Sequence, residues 1–196
     1  MDEKLKKQIE FILEIDKEKN IFRQTHLTNH GRNENDAEHA WHMAIMAYLL
    51  KEYANEEVDI SKVMIMCLIH DIVEIDAGDT YCYDEELKKT QKEREEKAKE
   101  RIFSLLPDEQ AKEMMNIFDE FEKSETMEAK FAHAMDNFQP LLLNNSNGGS
   151  DWKEHNVTKS QVYSRQGKTK EGSNKLYEIT DQILKENLEK GSLNNK

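Results

Sequence analysis

Apolar residues recur at helical spacing along most of the chain. The first such stripe predicts a helix from Lys4 to about Asn20, and a second stripe keeps helical spacing from Ala37 to Leu49. Asp36 is the expected N-cap of this second helix, because a short carboxylate side chain satisfies the first free N–H groups. The polar segment between the two stripes, "RQTHLTNHGRNEN", predicts an irregular loop.

An uninterrupted apolar run from Val63 to Ile69 predicts a third, buried helix with Ser61 as its cap. Ala77 and Gly78 are expected to end it, since glycine readily takes the left-handed conformation that closes many helices. The run leads directly into His70 and Asp71, which places two titratable side chains at the end of an apolar segment.

The second half of the chain continues in helices. A charged, exposed helix is predicted from Asp84 to Leu106, with a lid over a nearby site as a secondary interpretation, and a later helix contains Pro140, which is expected to kink it. Further helix starts are expected at Asp108, Thr126 and Ser173, and "NNSNGGSDW" reads as a loop. No strand pattern competes, so we predict an all-α fold: one helical domain over residues 1–190 and a disordered tail over 191–196.

Charge and composition narrow the classes of function. The chain has 196 residues and a net charge of −12 with no basic patch, which argues against nucleic acid polymers as partners. No apolar run is long enough to span a membrane, and the N-terminus lacks the apolar segment of a secretory signal. Two cysteines, Cys67 and Cys82, are too few for a disulfide framework. A cytoplasmic protein without membrane association is expected.

Histidines and aspartates lie where three apolar helices should meet. His39 opens one helix, His70 and Asp71 end another, and Asp136 lies inside a third. Buried charged groups are costly unless they are paired or bind a metal, and imidazole and carboxylate groups are good ligands for divalent ions. Glu74 lies one turn after His70 and Asp71, on the same side of the helix. A metal site between the central helices is therefore predicted, with a core network of histidines and carboxylates as the alternative.

The motifs "AEHAWH", "HDIVEIDAGD" and "AMDNFQPLLLN" resemble the HD superfamily of metal-dependent phosphohydrolases. The resemblance extends from about residue 5 to 190 and is strongest to the branch of the bacterial 5′-deoxynucleotidases and HD domain-containing protein 2. It implies a helical HD domain with one divalent metal ion per chain, of the set Mn, Co, Fe, Ni, Zn or Mg. The ligands it implies are His39, His70, Asp71 and Asp136.

The same resemblance implies roles for four further residues. Glu74 and Asp79 match the family's catalytic acids, and Arg23 matches its phosphate-contacting arginine, with Arg32 as the other candidate. Gln24 departs from the family pattern, in which a tryptophan that helps to select the nucleoside follows the arginine. This departure leaves the identity of the nucleotide open. The histidine motifs of dinuclear relatives are missing from the sequence.

We therefore expect a 5′-nucleotidase that hydrolyses deoxyribonucleoside 5′-monophosphates, acting as a homodimer like many relatives. The alternatives are a phosphohydrolase for a phosphodiester, a pyrophosphate or a nucleoside triphosphate, and a non-catalytic module that binds metal or nucleotide. The other histidines have ordinary interpretations: His26, His30 and His155 as solvated loop residues, and His42 and His133 as core residues or neighbours of the metal ligands.

Overall fold

The structure is a computed structural model that describes residues 2–28, 30–78 and 85–194, with only the backbone described for residues 85–89. Its helices are α1 (Glu3–Ile15), α2 (Asp36–Leu50), α3 (Ile60–Ile69), α4 (Glu74–Ala77), α5 (Glu85–Phe103), α6 (Asp108–Lys123), α7 (Met127–Ser146), α8 (Ser150–Glu154), α9 (Lys159–Gly172) and α10 (Asn174–Glu189). Short 3-10 helices cover Asp16–Asn20 and Lys51–Tyr53. The strands are β1 (Phe22–His26) and β2 (Asn33–Asn35). The predicted all-α class is confirmed, with a small hairpin added to it.

The main core lies where α2 and α3 pack against α7, which also packs along α9 and α10. Its central side chains include Met43, Val63, Met66, Met135 and Leu184, all of them fully buried. A second apolar cluster joins α1, the end of α5 and α6 around Phe11, Ile102, Phe103 and Phe118. The described helices include none that is long and apolar enough to cross a bilayer.

The expected loop after α1 is instead an antiparallel β-hairpin. β1 pairs with β2 in a register that places Phe22 opposite Asn35 and His26 opposite Asn33. The hairpin continues directly into α2, where Asn35 accepts from the Glu38 N–H and Glu38 bonds back to the Asn35 N–H. Asn35 is therefore the N-cap, and the prediction of Asp36 was wrong by one position.

The third helix is shorter than predicted. It is capped by Asp59, whose side chain accepts from the N–H groups of Ser61 and Lys62, so the prediction of Ser61 as the cap was wrong. α3 ends at Ile69, a turn carries His70 and Asp71, and α4 follows as a single short helix. Gly78 closes α4 at a φ of 75°. The prediction that Ala77 and Gly78 end the third helix was therefore wrong, because that helix ends at Ile69.

α7 runs through Pro140 to Ser146, and it covers the beginning of the segment expected to be a loop. A tight turn then leads to α8 through Gly149, whose φ is 70°. A Cβ atom at Gly149 would lie 2.6 Å from the Cβ of Ser192, so the turn and the end of the chain approach too closely for a side chain there. Of the expected tail over 191–196, the described residues 191–194 pack against the domain: Leu193 is buried and Asn194 bonds to the Val157 carbonyl.

Candidate metal centre

Three side chains from separate elements converge in the centre of the domain. His39 projects from the first turn of α2, His70 follows α3 directly, and Asp136 lies in α7. One ligand atom of each lies within 4.8 Å of those of the other two, and His39 Nε2 is 3.3 Å from Asp136 Oδ1. Both imidazoles are buried, while Asp136 keeps 20% of its side chain exposed. The imidazoles of the cluster thus lie in the core, and the carboxylate of Asp136 is partly accessible to solvent.

Hydrogen bonds on the far side of each imidazole fix its tautomer. His70 Nδ1 lies 2.9 Å from the Cys67 carbonyl oxygen, which only accepts, so Nδ1 carries the proton. His39 Nδ1 lies 2.9 Å from Gln139 Oε1. Gln139 Nε2 donates to Glu34 Oε1 at 2.6 Å, which orients the amide so that its oxygen faces His39. Both Nε2 atoms therefore present their lone pairs to the cluster, as in histidines that bind a metal.

Asp71 lies beside this group of three. Its Oδ2 atom is 3.0 Å from His70 Nε2 and 2.6 Å from Arg23 Nη1. His70 Nε2 is buried and makes no well-formed hydrogen bond within the described part of the chain. A buried acceptor nitrogen facing two carboxylates is a costly arrangement unless a proton or a cation lies between them.

The electrostatics of the cluster favour a positive charge at this point. Burial lowers the pKa of His70, but the carboxylates of Asp71 and Asp136 outweigh it and raise that pKa to about 9. Burial raises the pKa of Asp136, but the close contact with His39 and the charges of Arg165 and His70 bring it well below the usual range. His39 differs: burial and Arg23 lower its pKa to about 4, so its imidazole is neutral at physiological pH. The imidazoles of His39 and His70 can supply neutral nitrogen donors, and the carboxylates of Asp71 and Asp136 are ionised. This combination of donors fits a divalent metal ion.

Arg23 enters the site from β1. Its guanidinium pairs with Asp36 Oδ1 at 3.2 Å as well as with Asp71, and only 12% of its side chain is exposed. Burial would lower its pKa, but Asp71 and Asp36 hold it well above the ordinary value. Its Nε has no hydrogen-bond partner among the described residues, which leaves one donor for a ligand.

The remaining predicted site residues are placed differently. Glu74 is buried at the start of α4, and its charge acts on Arg23. Arg32 is half-exposed and bonds to both carboxylate oxygens of Glu38 and to the Asn33 carbonyl, so it braces the hairpin rather than entering the cluster. Asp79 lies outside the described residues.

Sequence reasoning did not single out four residues that surround the cluster. Gln139 and Glu34 orient His39, and Arg165 of α9 lies 3.6 Å from Asp136 Oδ1. Glu18 is buried nearby, and burial together with the charge of Asp71 raises its pKa to about 8. Gln139 follows the motif aspartate by three positions, so helical spacing could have identified it. The other three come from distant elements and leave no local signal.

The two uncertain histidines differ in burial: His133 is buried in the core, whereas His42 is only partly buried. His133 donates from Nε2 to the Phe121 carbonyl at 2.9 Å and stacks on the Phe121 ring. His42 Nδ1 lies 3.1 Å from Gln139 Nε2, so it supports the glutamine that orients His39. Cys67 is fully buried, and burial raises its thiol pKa far above the usual range, which disfavours the thiolate that nucleophilic catalysis needs.

A helical fold with histidine and aspartate side chains grouped at its centre is the arrangement expected of the HD class of domains. Residues 15–177 match the family model of the HD domain. The chain belongs to the HD domain family, and the resemblance seen in its motifs is confirmed.

Two proteins with a similar sequence carry the same name. The chain is 31% identical to the 5′-deoxynucleotidase HDDC2 of Homo sapiens over 58% of its own length and 54% of the human protein. It is 32% identical to that of Dictyostelium discoideum over 61% of its own length and 67% of that protein. The match thus spans about half the length of the vertebrate relatives.

The structure is also similar to that of a "Predicted metal-dependent phosphohydrolase" from Magnetospirillum magnetotacticum MS-1. The TM-score is 0.94 at 48% identity, over 97% of this chain and 96% of the other. A protein from Pyrococcus furiosus, 22% identical with a TM-score of 0.63, shares the fold.

Proposed function

We propose that the protein is a metal-dependent phosphohydrolase, and specifically a 5′-nucleotidase that hydrolyses deoxyribonucleoside 5′-monophosphates to nucleoside and phosphate. The observation that carries the proposal is the convergence of two imidazole Nε2 atoms on Asp136, with each Nδ1 bound to an acceptor. The names of the human and Dictyostelium relatives supply the substrate class, and the name of the Magnetospirillum protein supplies the metal dependence.

The proposed ligands are His39, His70, Asp71 and Asp136. Candidate ligand atoms of three of them lie within 4.8 Å of one another, and Asp71 Oδ2 lies next to His70 Nε2. This set suits Mn, Fe, Co, Ni or Zn and, less readily, Mg. A metal ion bound there would polarise a phosphoryl oxygen and make a water molecule a better nucleophile at neutral pH.

The side chains around the centre would bind and orient the phosphate. Arg23 is largely buried, permanently charged and has a free Nε donor, so we assign the phosphate contact to it. Arg165 adds a second cation, 3.6 Å from Asp136 Oδ1. Together they explain how a chain with a net charge of −12 can receive an anion. Arg32, paired with Glu38, is assigned a structural role.

Proton transfer would fall to the two acids after the histidine–aspartate pair. Glu74 is buried one turn beyond Asp71, where it can hold the attacking water and accept its proton. Asp79 would then protonate the 5′-oxygen as the phosphorus–oxygen bond breaks. The assignment of Asp79 rests on the family resemblance alone.

We also propose that the protein acts in the cytoplasm as a homodimer, without nucleic acid polymers as partners. An exposed apolar stripe on α2 supports the dimer: Trp41 is 61% exposed and Leu49 65%, with Ile45 and Tyr48 between them on the same face. A contiguous apolar stripe of this kind is unusual on a monomer and typical of an interface. The free, buried thiol of Cys67 is consistent with a reducing compartment.

The test of the proposed function is a nucleotide panel. The metal-loaded protein is incubated with deoxyribo- and ribonucleoside 5′-monophosphates, a cyclic phosphodiester, a pyrophosphate and a nucleoside triphosphate, and the products are identified. Orthophosphate release that is fastest from deoxyribonucleoside monophosphates supports the proposal. Pyrophosphate or tripolyphosphate as the product indicates another phosphohydrolase, and nucleotide binding without turnover indicates a binding module.

A further inference from the structure

A second group of potential ligands lies at the far end of the hairpin. His26 is the last residue of β1, His30 lies in the turn that follows, and Asp151 lies in the first turn of α8. His26 Nδ1 is 2.8 Å from Asp151 Oδ1, and His30 Nδ1 is 3.9 Å from the same oxygen. One donor atom from each residue lies within 4.8 Å of the other two. The histidines were expected to be solvated loop residues, whereas the fold brings them together on a buried carboxylate.

The backbone holds this arrangement in place. Asp151 is 5% exposed, and its second oxygen accepts from the His26 N–H at 3.0 Å, which fixes the orientation of the carboxylate. His30 takes a φ of 54°, a conformation that is uncommon outside glycine and that turns its ring towards His26. The two ring centroids are 4.4 Å apart. Asn147 donates to the Leu27 carbonyl at 2.9 Å and ties the same turn to the end of α7.

We propose that His26, His30 and Asp151 form a second divalent cation site, of the kind that zinc occupies with three protein ligands and a water molecule. In a tetrahedral zinc site with bonds of about 2.0–2.1 Å, ligand atoms are about 3.3–3.5 Å apart. The two distances to Asp151 Oδ1, 2.8 and 3.9 Å, lie on either side of that value, so small side-chain rotations suffice.

Binding would exchange hydrogen bonds for metal ligation. The proton that His26 Nδ1 shares with Asp151 would move to Nε2, leaving the Nδ1 lone pair for the ion. Ser150 Oγ, 3.1 Å from His30 Nδ1, would give up that contact. The His30 side chain is 47% exposed, which provides a path for the ion from solvent.

The consequence of such a site would be structural. The ion would join the hairpin to α8, and the hairpin carries Arg23 three residues before His26. It would therefore hold the strand that positions Arg23, at a point removed from His39, His70 and Asp136. The proposal does not depend on the nature of the reaction.

The test counts zinc ions per chain. The full-length protein is stripped with a chelator, dialysed to equilibrium against Zn²⁺ buffered by a weak chelator, and analysed for metal content. His30→Asn removes one ligand while asparagine tolerates the left-handed backbone at this position. His155→Asn, at an exposed histidine outside the group, is the matched control. Asp136→Asn reports the central site separately.

We expect the wild-type protein and His155→Asn to bind two zinc ions, and His30→Asn to bind one fewer than wild type. His30→Asn should also lose part of the zinc-dependent rise in melting temperature. Equal zinc content in His30→Asn and wild type would overturn the proposal. Because Asp136→Asn reads the central site independently, unchanged zinc content in that variant would count against the proposed function and not against the hairpin site.

Discussion

His39 Nε2 lies 3.3 Å from Asp136 Oδ1, across 97 positions of sequence, and joins the start of α2 to the middle of α7. His39 is oriented by Gln139, one turn beyond Asp136, so a single helix supplies both the carboxylate and the amide that aims the imidazole at it. Pro140 follows directly, and the N–H it lacks is the one that would have bonded to the Asp136 carbonyl.

Gln139→Leu is expected to weaken metal binding at the central site by about 10- to 100-fold, because removal of a residue that orients a ligand histidine has an effect of this size. Gln139 is fully buried and contacts His39 and Glu34. The measurement is a titration with a competing chelator. Gln166→Leu is the control, since it removes another buried glutamine amide, bonded to the Asn137 carbonyl. Comparable loss of metal affinity in both variants would show that general destabilisation is responsible.

Arg23→Met is expected to lower kcat/KM for a nucleoside monophosphate by about 10- to 100-fold, the usual effect of losing a charge-assisted hydrogen bond. Arg23 is largely buried beside Asp71, whereas Arg32 is half-exposed beside Glu38. Arg32→Met should therefore leave kcat/KM within about 2-fold of wild type. Steady-state kinetics of the two variants decide between the arginines, and the reverse ranking would assign the phosphate to Arg32.

His133 should make stability depend on pH on the acid side. Burial and the charge of Lys168 lower its pKa from 6.5 to about 4, so between these values the unfolded chain binds the proton more readily than the folded one. The free energy of unfolding is therefore not reduced by His133 above pH 6.5. It decreases as the pH falls from 6.5 to 4, by at most about 3 kcal/mol. His133→Gln should flatten that slope in urea unfolding of the chelator-treated protein. An unchanged slope in His133→Gln would contradict the assignment.

The exposed stripe on α2 leads to a prediction about assembly. Trp41→Glu places a charge in the centre of the apolar face and should convert the dimer to a monomer in light scattering at micromolar concentration. Ile179→Glu changes a similarly apolar but less exposed position on α10 and should leave the dimer intact. A wild-type protein that is monomeric under these conditions would refute the dimer itself.

The helices and the central residues of the candidate site could be predicted from the same feature of the sequence, the apolar residues at helical spacing. His39, His70 and Asp136 interrupt apolar helical stripes, and a titratable residue in such a stripe requires a partner that the other stripes can supply. The ends of the helices were less predictable. Asn35 and Asp59 compete with neighbouring polar residues for the cap, and local spacing does not decide between them.

The hairpin could not be predicted from the sequence pattern. β1 is "FRQTH", with no apolar alternation, and β2 has three residues. Its stability comes from contacts beyond the segment, such as the Asp36 N–H bonded to the Ile21 carbonyl and Asp151 bonded to His26. For the same reason, the positions of Arg165 and Glu18 beside the cluster become visible only in the folded chain.

The most direct test of the central claim is the rate of orthophosphate release from a deoxyribonucleoside 5′-monophosphate as a divalent metal is restored to the stripped protein. Wild type and Asp136→Asn are compared at equal metal concentration, with folding of both verified by circular dichroism. Release by the wild-type protein should require the metal, and Asp136→Asn should lose at least about 100-fold of the rate. Metal-independent release, or equal rates in the two proteins, would contradict it.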